Sequence, residues 1–219
     1  MTKLAADGWT LFRTNLPPNA MASLRNSAFR PEGAGQRCLL DNPEVLDAAK
    51  VLKTKLVRAG FLNEDEVAIQ AIAFDKTVGT NWKVTWHQDL MFPFARTVTA
   101  PEFGVPSVKD GVPYARPPRD VLEELLAVRL HLDPCDESNG PLRVVTGSHR
   151  RGIMKGAEIQ QVVATGPEAV CLANEGDALL MKPLLLHASS PAAAPKHRRV
   201  LHLVYHTGRK IPESWYRAV

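Results

Sequence analysis

Three side chains in this sequence have the types and spacing of a metal-binding site. His87 and Asp89 are two residues apart in the run NWKVTWHQDL, and His187 follows the apolar run LLL much later in the chain. If the first run is a strand, His87, Asp89 and Thr85 share one face, because alternate side chains of a strand point the same way. Two imidazoles and one carboxylate can form a facial triad that leaves coordination positions open for substrates.

A candidate anion anchor lies close to this triad in the sequence. Arg198 follows His187 by eleven residues and begins the next β-rich run, while Ser189 shares a face with His187. A guanidinium can hold a carboxylate through two parallel hydrogen bonds, and a hydroxyl can add a third contact. Arg199 is a rival, since alternation along a strand sends Arg198 and Arg199 to opposite faces. The sequence leaves the choice between them open.

A second His-x-Asp pair competes with the first one. His131 and Asp133 belong to the run AVRLHLD and also precede His187. On a strand they would share a face just as His87 and Asp89 do. Spacing alone therefore does not exclude this pair as the metal site.

The elements that must position these residues are short strands. From about residue 66 to 210 one β-rich run follows another, with turn residues between them. Many short strands separated by turn residues are typical of all-β sandwiches and barrels. We predict a mainly β protein with a jelly roll or double-stranded β-helix core, the cupin-like arrangement that closes most sheet edges. The runs are VAIQAIAFD, NWKVTWHQDL, LLAVRLHLD, AVCLANE, DALLMKPLLLHAS and RRVLHLVYH.

The N-terminal part, about residues 1–65, reads as mostly helical. Asn42 can cap a helix whose first residue is Pro43, and Gly60 follows its last turn. Apolar residues recur between them at helical spacing, so this helix is expected to pack outside the β core. With 219 residues, the chain suits one domain with a sizeable core.

Residues 92–119 do not fit the strand pattern. The stretch contains six prolines and shows no clear periodicity. Long irregular insertions in compact domains are usually functional loops or disordered. We interpret it as a lid beside the site, where substrate specificity would be decided.

Composition narrows the class of protein. Hydrophobic residues make up 45% and charged residues 23%, and no apolar stretch is long enough for a membrane helix. Three widely spaced cysteines without a CxxC motif argue against a disulfide framework or a thiolate zinc site, so we expect reduced thiols in the cytoplasm. The net charge of +4 is mild and forms no long basic stripe, which disfavours nucleic acid as a partner. A small-molecule substrate is expected, and an anionic one is left open.

Three segments together resemble the phytanoyl-CoA dioxygenase family. FDKTVGTNWKVTWHQD is similar to the segment that leads into the family's His-x-Asp pair, ESNGPLRVVTGSH to its Asn-Gly turn and following strand, and HASSPAAAPKHRR to its distal histidine region. The resemblance covers roughly residues 65–205. Thr146 stands where the family usually has proline, and residues 192–194 offer no asparagine after the distal histidine, which puts some co-substrate contacts in doubt.

This resemblance implies a double-stranded β-helix that uses iron(II), 2-oxoglutarate and dioxygen. By motif position it implies that His87, Asp89 and His187 bind the metal and that Arg198, with Ser189, binds 2-oxoglutarate. Thr85, on the face of the His-x-Asp pair, is expected to contact the co-substrate as well. The implied activity is oxidation of a small molecule at an unactivated C–H bond, with release of succinate and carbon dioxide.

Several reactions and two other classes of function stay open. The carboxylate of Asp89 disfavours halogenation, because related halogenases seat a halide in its place, whereas desaturation, epoxidation and ring formation need the same metal site as hydroxylation. One rival is a cupin-type metal enzyme that does not use 2-oxoglutarate. The other is a non-catalytic β-domain that binds a ligand or protein partner.

Overall fold

Antiparallel strands form most of the protein. The computed structural model describes residues 2–30, 35–207 and 211–219. Its strands are β1 (Trp9–Arg13), β2 (Gly35–Gln36), β3 (Val67–Lys76), β4 (Val84–His87), β5 (Phe92–Pro93), β6 (Ser107–Lys109), β7 (Val112–Ala115), β8 (Leu126–His131), β9 (Leu142–Val145), β10 (Glu168–Cys171), β11 (Asp177–Met181), β12 (His187–Ser189) and β13 (Arg198–His206). The helices are α1 (Lys3–Asp7), α2 (Pro18–Ala28), α3 (Pro43–Arg58), α4 (Arg119–Glu124) and α5 (Gly156–Thr165), with short 3₁₀ turns at Leu39–Asp41, Glu137–Asn139 and Ser148–Arg151.

Two large sheets build the core. The six-stranded sheet has the order β1-β11-β8-β13-β3-β2, and the four-stranded sheet has the order β10-β9-β12-β4. One buried apolar cluster contains residues of both sheets, among them Val204 from β13 and Val144 from β9. The prediction of a mainly β, cupin-like double-stranded β-helix is thereby confirmed.

The outer face of the six-stranded sheet is covered by helices α2 and α3. Their buried residues form one cluster with Val128 and Leu130 of β8 and with Leu201 and Leu203 of β13. Alternation turns the intervening residues of these strands to the opposite face of the sheet. Helix α3 begins as predicted, since the Asn42 side chain accepts a hydrogen bond of 3.1 Å from the backbone N–H of Val45. No helix within the described ranges is both long and apolar enough to cross a membrane.

A substitution at the buried face of α3 tests this packing. Leu52 is fully buried in the helix-facing cluster, so Leu52→Ala is expected to lower the free energy of unfolding by about 2–5 kcal/mol. Its neighbour Val51 is 43% exposed, and Val51→Ala should change that free energy by less than about 0.5 kcal/mol. Chemical denaturation of both variants measures the difference. Equal effects would show that α3 does not pack as described.

The N-terminal part contains two short strands besides its helices. Strand β1 pairs with β11, with Leu11 opposite Leu179, and so forms one edge of the six-stranded sheet. Strand β2 pairs with β3 at the other edge. The helical interpretation was wrong for these two segments, because pairing with a sheet edge supplies the backbone hydrogen bonds that such short runs cannot form alone.

The proline-rich stretch at residues 92–119 is more ordered than an irregular loop. Strands β5, β7 and β6 form a separate three-stranded sheet, and α4 begins at Arg119. Phe92 and Phe94 are fully buried in the inner apolar cluster and anchor this sheet on the core. The sheet contributes Lys109 and Tyr114 to the wall of the central cavity. The stretch is therefore not wholly irregular, and its role as a lid beside the site stays a prediction.

Candidate metal centre

Two neighbouring strands bring the predicted ligands together. Strand β12 pairs with β4 so that His187 lies opposite His87. Asp89 lies just beyond the end of β4, where its backbone N–H donates a 2.9 Å hydrogen bond to the carbonyl of Pro183. One potential ligand atom from each of the three residues lies within 4.8 Å of the others. Within the described ranges, this is the one group of His, Cys, Asp and Glu side chains with such an arrangement.

Hydrogen bonds orient both imidazoles toward the carboxylate. His87 Nδ1 lies 2.8 Å from the carbonyl oxygen of Thr85, and His187 Nδ1 lies 2.9 Å from that of Leu185. A carbonyl only accepts, so each Nδ1 carries the proton and each Nε2 keeps a free lone pair. The two Nε2 atoms lie 3.7 Å from Asp89 Oδ1 and Oδ2, respectively. The donor set therefore fits one divalent metal ion, with the histidine orientation that metal sites usually show.

The charges at the centre suit a metal as well. Burial lowers the pKa of His187 to about 4, which keeps this ring neutral near neutral pH. Burial would raise the pKa of Asp89, but the neighbouring imidazoles, His187 foremost, bring it down to about 2. A neutral imidazole and an ionised carboxylate are the forms that bind metals.

Thr85 does not line the central cavity, contrary to prediction. The pairing of β12 with β4 shifts between His187 and Ser189, so that Ser189 lies opposite Val84. The three residue steps from Val84 to His87 on β4 thus match two steps on β12, which is a β-bulge. The bulge interrupts the alternation: Val84 and His87 both line the central cavity, whereas Thr85 lies in a groove on the outside beside Trp86. Thr85 contributes its backbone carbonyl to the orientation of His87.

Arg198, rather than Arg199, faces the cavity. Arg198 is 4% exposed, donates from Nη1 to the carbonyl of Gly140 and leaves its buried Nε without a partner. Arg199 points away and makes two hydrogen bonds of 2.8 Å from its guanidinium to the carboxylate of Asp133. Ser189 also lines the cavity, where its hydroxyl accepts a 2.9 Å hydrogen bond from the buried ammonium of Lys76.

The competing His-x-Asp pair forms no metal site. Asp133 is engaged by Arg199 and also forms an ion pair with Arg25, at 3.7 Å. His131 is buried apart from the three clustered ligands, and it does not line the central cavity. The structure therefore distinguishes two pairs that spacing alone could not, in favour of the pair that the family resemblance implies.

His131 makes stability depend on pH. Burial lowers the pKa of His131 from 6.5 to about 3, so the unfolded chain binds a proton that the folded chain does not. The stability that the folded chain gains by keeping His131 neutral is present above pH 6.5 and is lost as the pH falls toward about 3. Between about pH 7 and pH 5 we expect metal-free protein to lose about 2 kcal/mol of stability through this residue. Denaturant unfolding should show a smaller loss in His131→Leu. An identical loss in both proteins would contradict this.

Gln88 and Arg129 are two residues of the site that sequence reasoning missed. The buried side chain of Gln88 donates to the carbonyls of Gly152 and Leu184, both at 2.7 Å, and so fixes the loop between His87 and Asp89. Arg129 and His202 line the same cavity, which has a volume of about 320 Å³. The sequence offered one signal for Arg129, because it is a charged residue within the largely apolar run AVRLHL.

Comparisons with known proteins match most of the chain. The family model described as phytanoyl-CoA dioxygenase matches residues 6–200. No curated protein sequence matches the chain. Among solved structures, AviO1 from Streptomyces viridochromogenes Tue57 is 22% identical, with a TM-score of 0.68, over 96% of this chain and 95% of its own.

Two further solved structures have the same fold. EctD from S. alaskensis, with 2-oxoglutarate and 5-hydroxyectoine, is 17% identical with a TM-score of 0.66, over 94% of this chain and 74% of its own. HygX from Streptomyces hygroscopicus, with iron bound, is 13% identical with a TM-score of 0.64, over 98% of this chain and 94% of its own. These likenesses show the fold, and the family model shows the family. The chain belongs to the phytanoyl-CoA dioxygenase family of iron(II)- and 2-oxoglutarate-dependent oxygenases.

Proposed function

We propose that this protein hydroxylates a small molecule at an unactivated C–H bond, with 2-oxoglutarate as co-substrate. The observation that carries the proposal is the convergence of His87, Asp89 and His187 in a cavity that also contains the incompletely bonded guanidinium of Arg198. This buried cation favours the use of 2-oxoglutarate over a cupin-type metal chemistry that does without it.

His87, Asp89 and His187 are the residues that would hold iron(II). Both imidazoles present a lone pair on Nε2, and the carbonyls of Thr85 and Leu185 hold the rings in place. Bound there, iron(II) supplies the oxidising chemistry that converts dioxygen, 2-oxoglutarate and substrate to succinate, carbon dioxide and hydroxylated product. A facial arrangement of three protein ligands leaves the opposite side of the metal open for these molecules.

Arg198 and Ser189 would bind the 5-carboxylate of 2-oxoglutarate. The Arg198 side chain is almost fully buried, and Gly140 is the partner of its Nη1 atom, so Nε remains available for a carboxylate oxygen. The Ser189 hydroxyl accepts from Lys76, which leaves its own proton free to be donated to the same carboxylate. The two residues would fix the co-substrate with its 2-oxo end toward the three ligands.

The remaining wall of the cavity would hold the primary substrate. Ile72, Leu90 and Met91 provide apolar surface, while Tyr114 and Lys109 come from the three-stranded sheet. These side chains would orient the reacting carbon of the substrate and limit the contact of water with it. With its limited volume, the cavity suits a small molecule rather than a polymer.

A coupled-turnover assay tests the proposed reaction. Protein supplied with iron(II), 2-oxoglutarate and ¹⁸O₂ is incubated with panels of small molecules, and succinate and products are measured by mass spectrometry. We expect substrate-dependent succinate and a product with one added oxygen atom derived from O₂. A product that has lost two hydrogens instead would indicate desaturation or ring formation. Absence of succinate under all conditions, with 2-oxoglutarate unbound in calorimetry, would refute the proposal.

A further inference from the structure

Arg129 is a buried cation inside the central cavity that the proposed function leaves without a role. It is 9% exposed and lies on β8. Its Nη1 atom lies 3.2 Å from Nδ1 of His202, a ring that burial keeps neutral by lowering its pKa to about 3. Among the residues that the structure describes, no carboxylate forms an ion pair with Arg129 within 4.0 Å. Burial lowers the pKa of Arg129 most, the positive charge of Arg198 lowers it further, and the negative charge of Asp89 raises it.

The side chain of Arg129 crosses the neighbouring strand between the metal centre and Arg198. On β13, Arg198 and His202 both line the cavity, four residues or roughly 13 Å of strand apart. Arg129 lies opposite His202 on one side of β13. Its guanidinium carbon is nevertheless 5.7 Å from the ring centroid of Phe74, which belongs to β3 on the other side of β13. Phe74 pairs with Val200, midway between His202 and Arg198.

Bound 2-oxoglutarate would extend along the same part of β13, between His202 and Arg198, that the Arg129 side chain lies against. His202 marks the metal end, because its Nε2 lies 4.0 Å from Asp89 Oδ2. A molecule bound to the three ligands at its 2-oxo end and to Arg198 at its 5-carboxylate runs past the Arg129 guanidinium. A buried guanidinium without a carboxylate partner is unfavourable, and an anion bound beside it relieves that cost.

We infer that Arg129 is a second guanidinium contact to the 5-carboxylate of 2-oxoglutarate. This inference rests on the proposed use of 2-oxoglutarate and adds a specificity-determining residue to it. Two cations on one carboxylate favour 2-oxo acids that carry a second acid group over those that end in a methyl group. Charge-assisted hydrogen bonds of this kind correspond to about 10- to 100-fold in affinity.

Calorimetry with two 2-oxo acids tests this assignment. 2-Oxoglutarate and 2-oxopentanoate, which lacks the 5-carboxylate, are titrated without oxygen into iron(II)-loaded wild type, Arg129→Gln and Arg129→Lys. Glutamine can keep the hydrogen bond to His202 but not the charge, whereas lysine keeps the charge. We expect Arg129→Gln to bind 2-oxoglutarate about tenfold or more weakly, with 2-oxopentanoate unchanged and partial recovery in Arg129→Lys.

Controls separate this inference from the proposed function and from misfolding. Arg143, which pairs with Glu168 and does not line the cavity, gives the matched variant Arg143→Gln, which should bind both acids like wild type. Thermal unfolding reports whether each variant is folded. If wild type binds 2-oxoglutarate while Arg129→Gln binds it equally well, or loses the same factor for both acids, the inference is overturned and the proposed function stands. If wild type itself fails to bind 2-oxoglutarate, the proposed function and the inference on Arg129 are both refuted.

Discussion

Asp89→Ala is expected to abolish iron binding and substrate-dependent succinate formation. The carboxylate is the negatively charged member of the cluster and lies 3.7 Å from Nε2 of both His87 and His187. Loss of residues that merely orient metal ligands costs about 10- to 100-fold in metal affinity, so loss of a ligand should exceed that range. Iron(II) binding is measured by anaerobic titration and succinate by mass spectrometry.

The matched control for this variant is His131→Leu. His131 is the histidine of the other His-x-Asp pair, and it lies outside the three-residue cluster. His131→Leu should bind iron(II) like wild type near neutral pH. Normal succinate formation in Asp89→Ala, or loss of iron in His131→Leu with retention in His87→Ala, would reverse the assignment of the ligands.

Arg198→Met is expected to eliminate tight 2-oxoglutarate binding without loss of the metal. Truncation of one partner of a buried, hydrogen-bonded charge pair costs about 2–5 kcal/mol, or roughly 30-fold or more in affinity. Methionine fills much of the same volume, so the fold should persist. Calorimetry with 2-oxoglutarate and a separate iron(II) titration distinguish the two binding events.

Arg199→Met serves as the control for Arg198→Met. The Arg199 guanidinium is bound to Asp133 and points away from the cavity that Arg198 lines. Its loss should leave the affinity for 2-oxoglutarate within about twofold of wild type, because effects of substitutions away from a binding site seldom reach it. If Arg199→Met weakens 2-oxoglutarate binding as much as Arg198→Met does, the proposed anchor is misidentified.

Residue types and motif spacing predicted which side chains lie close together better than strand alternation did. The three candidate ligands do converge, because β12 and β4 are neighbours in one sheet. Strand alternation wrongly placed Thr85 on the cavity face with His87 and Asp89, because a bulge in β4 interrupts the two-residue period. A bulge depends on pairing with a partner strand, and the local sequence does not reveal that partner.

The regions that were wrongly predicted depend on contacts distant in sequence. Strand β1 exists because β11, far along the chain, offers it an edge. The sheet of β5, β6 and β7 is held by Phe92 and Phe94, whose burial against the core is not visible in a proline-rich sequence. The choice between Arg198 and Arg199 likewise depended on Asp133, which lies just after β8 and binds the guanidinium of Arg199.

Anomalous diffraction at the iron edge, from crystals grown without oxygen in iron(II) and 2-oxoglutarate, tests the central claim most directly. A single strong peak is expected between Nε2 of His87, Nε2 of His187 and the carboxylate of Asp89, with co-substrate density that reaches Arg198. A peak located elsewhere, or one in contact with fewer than all three of these side chains, would contradict the proposed site.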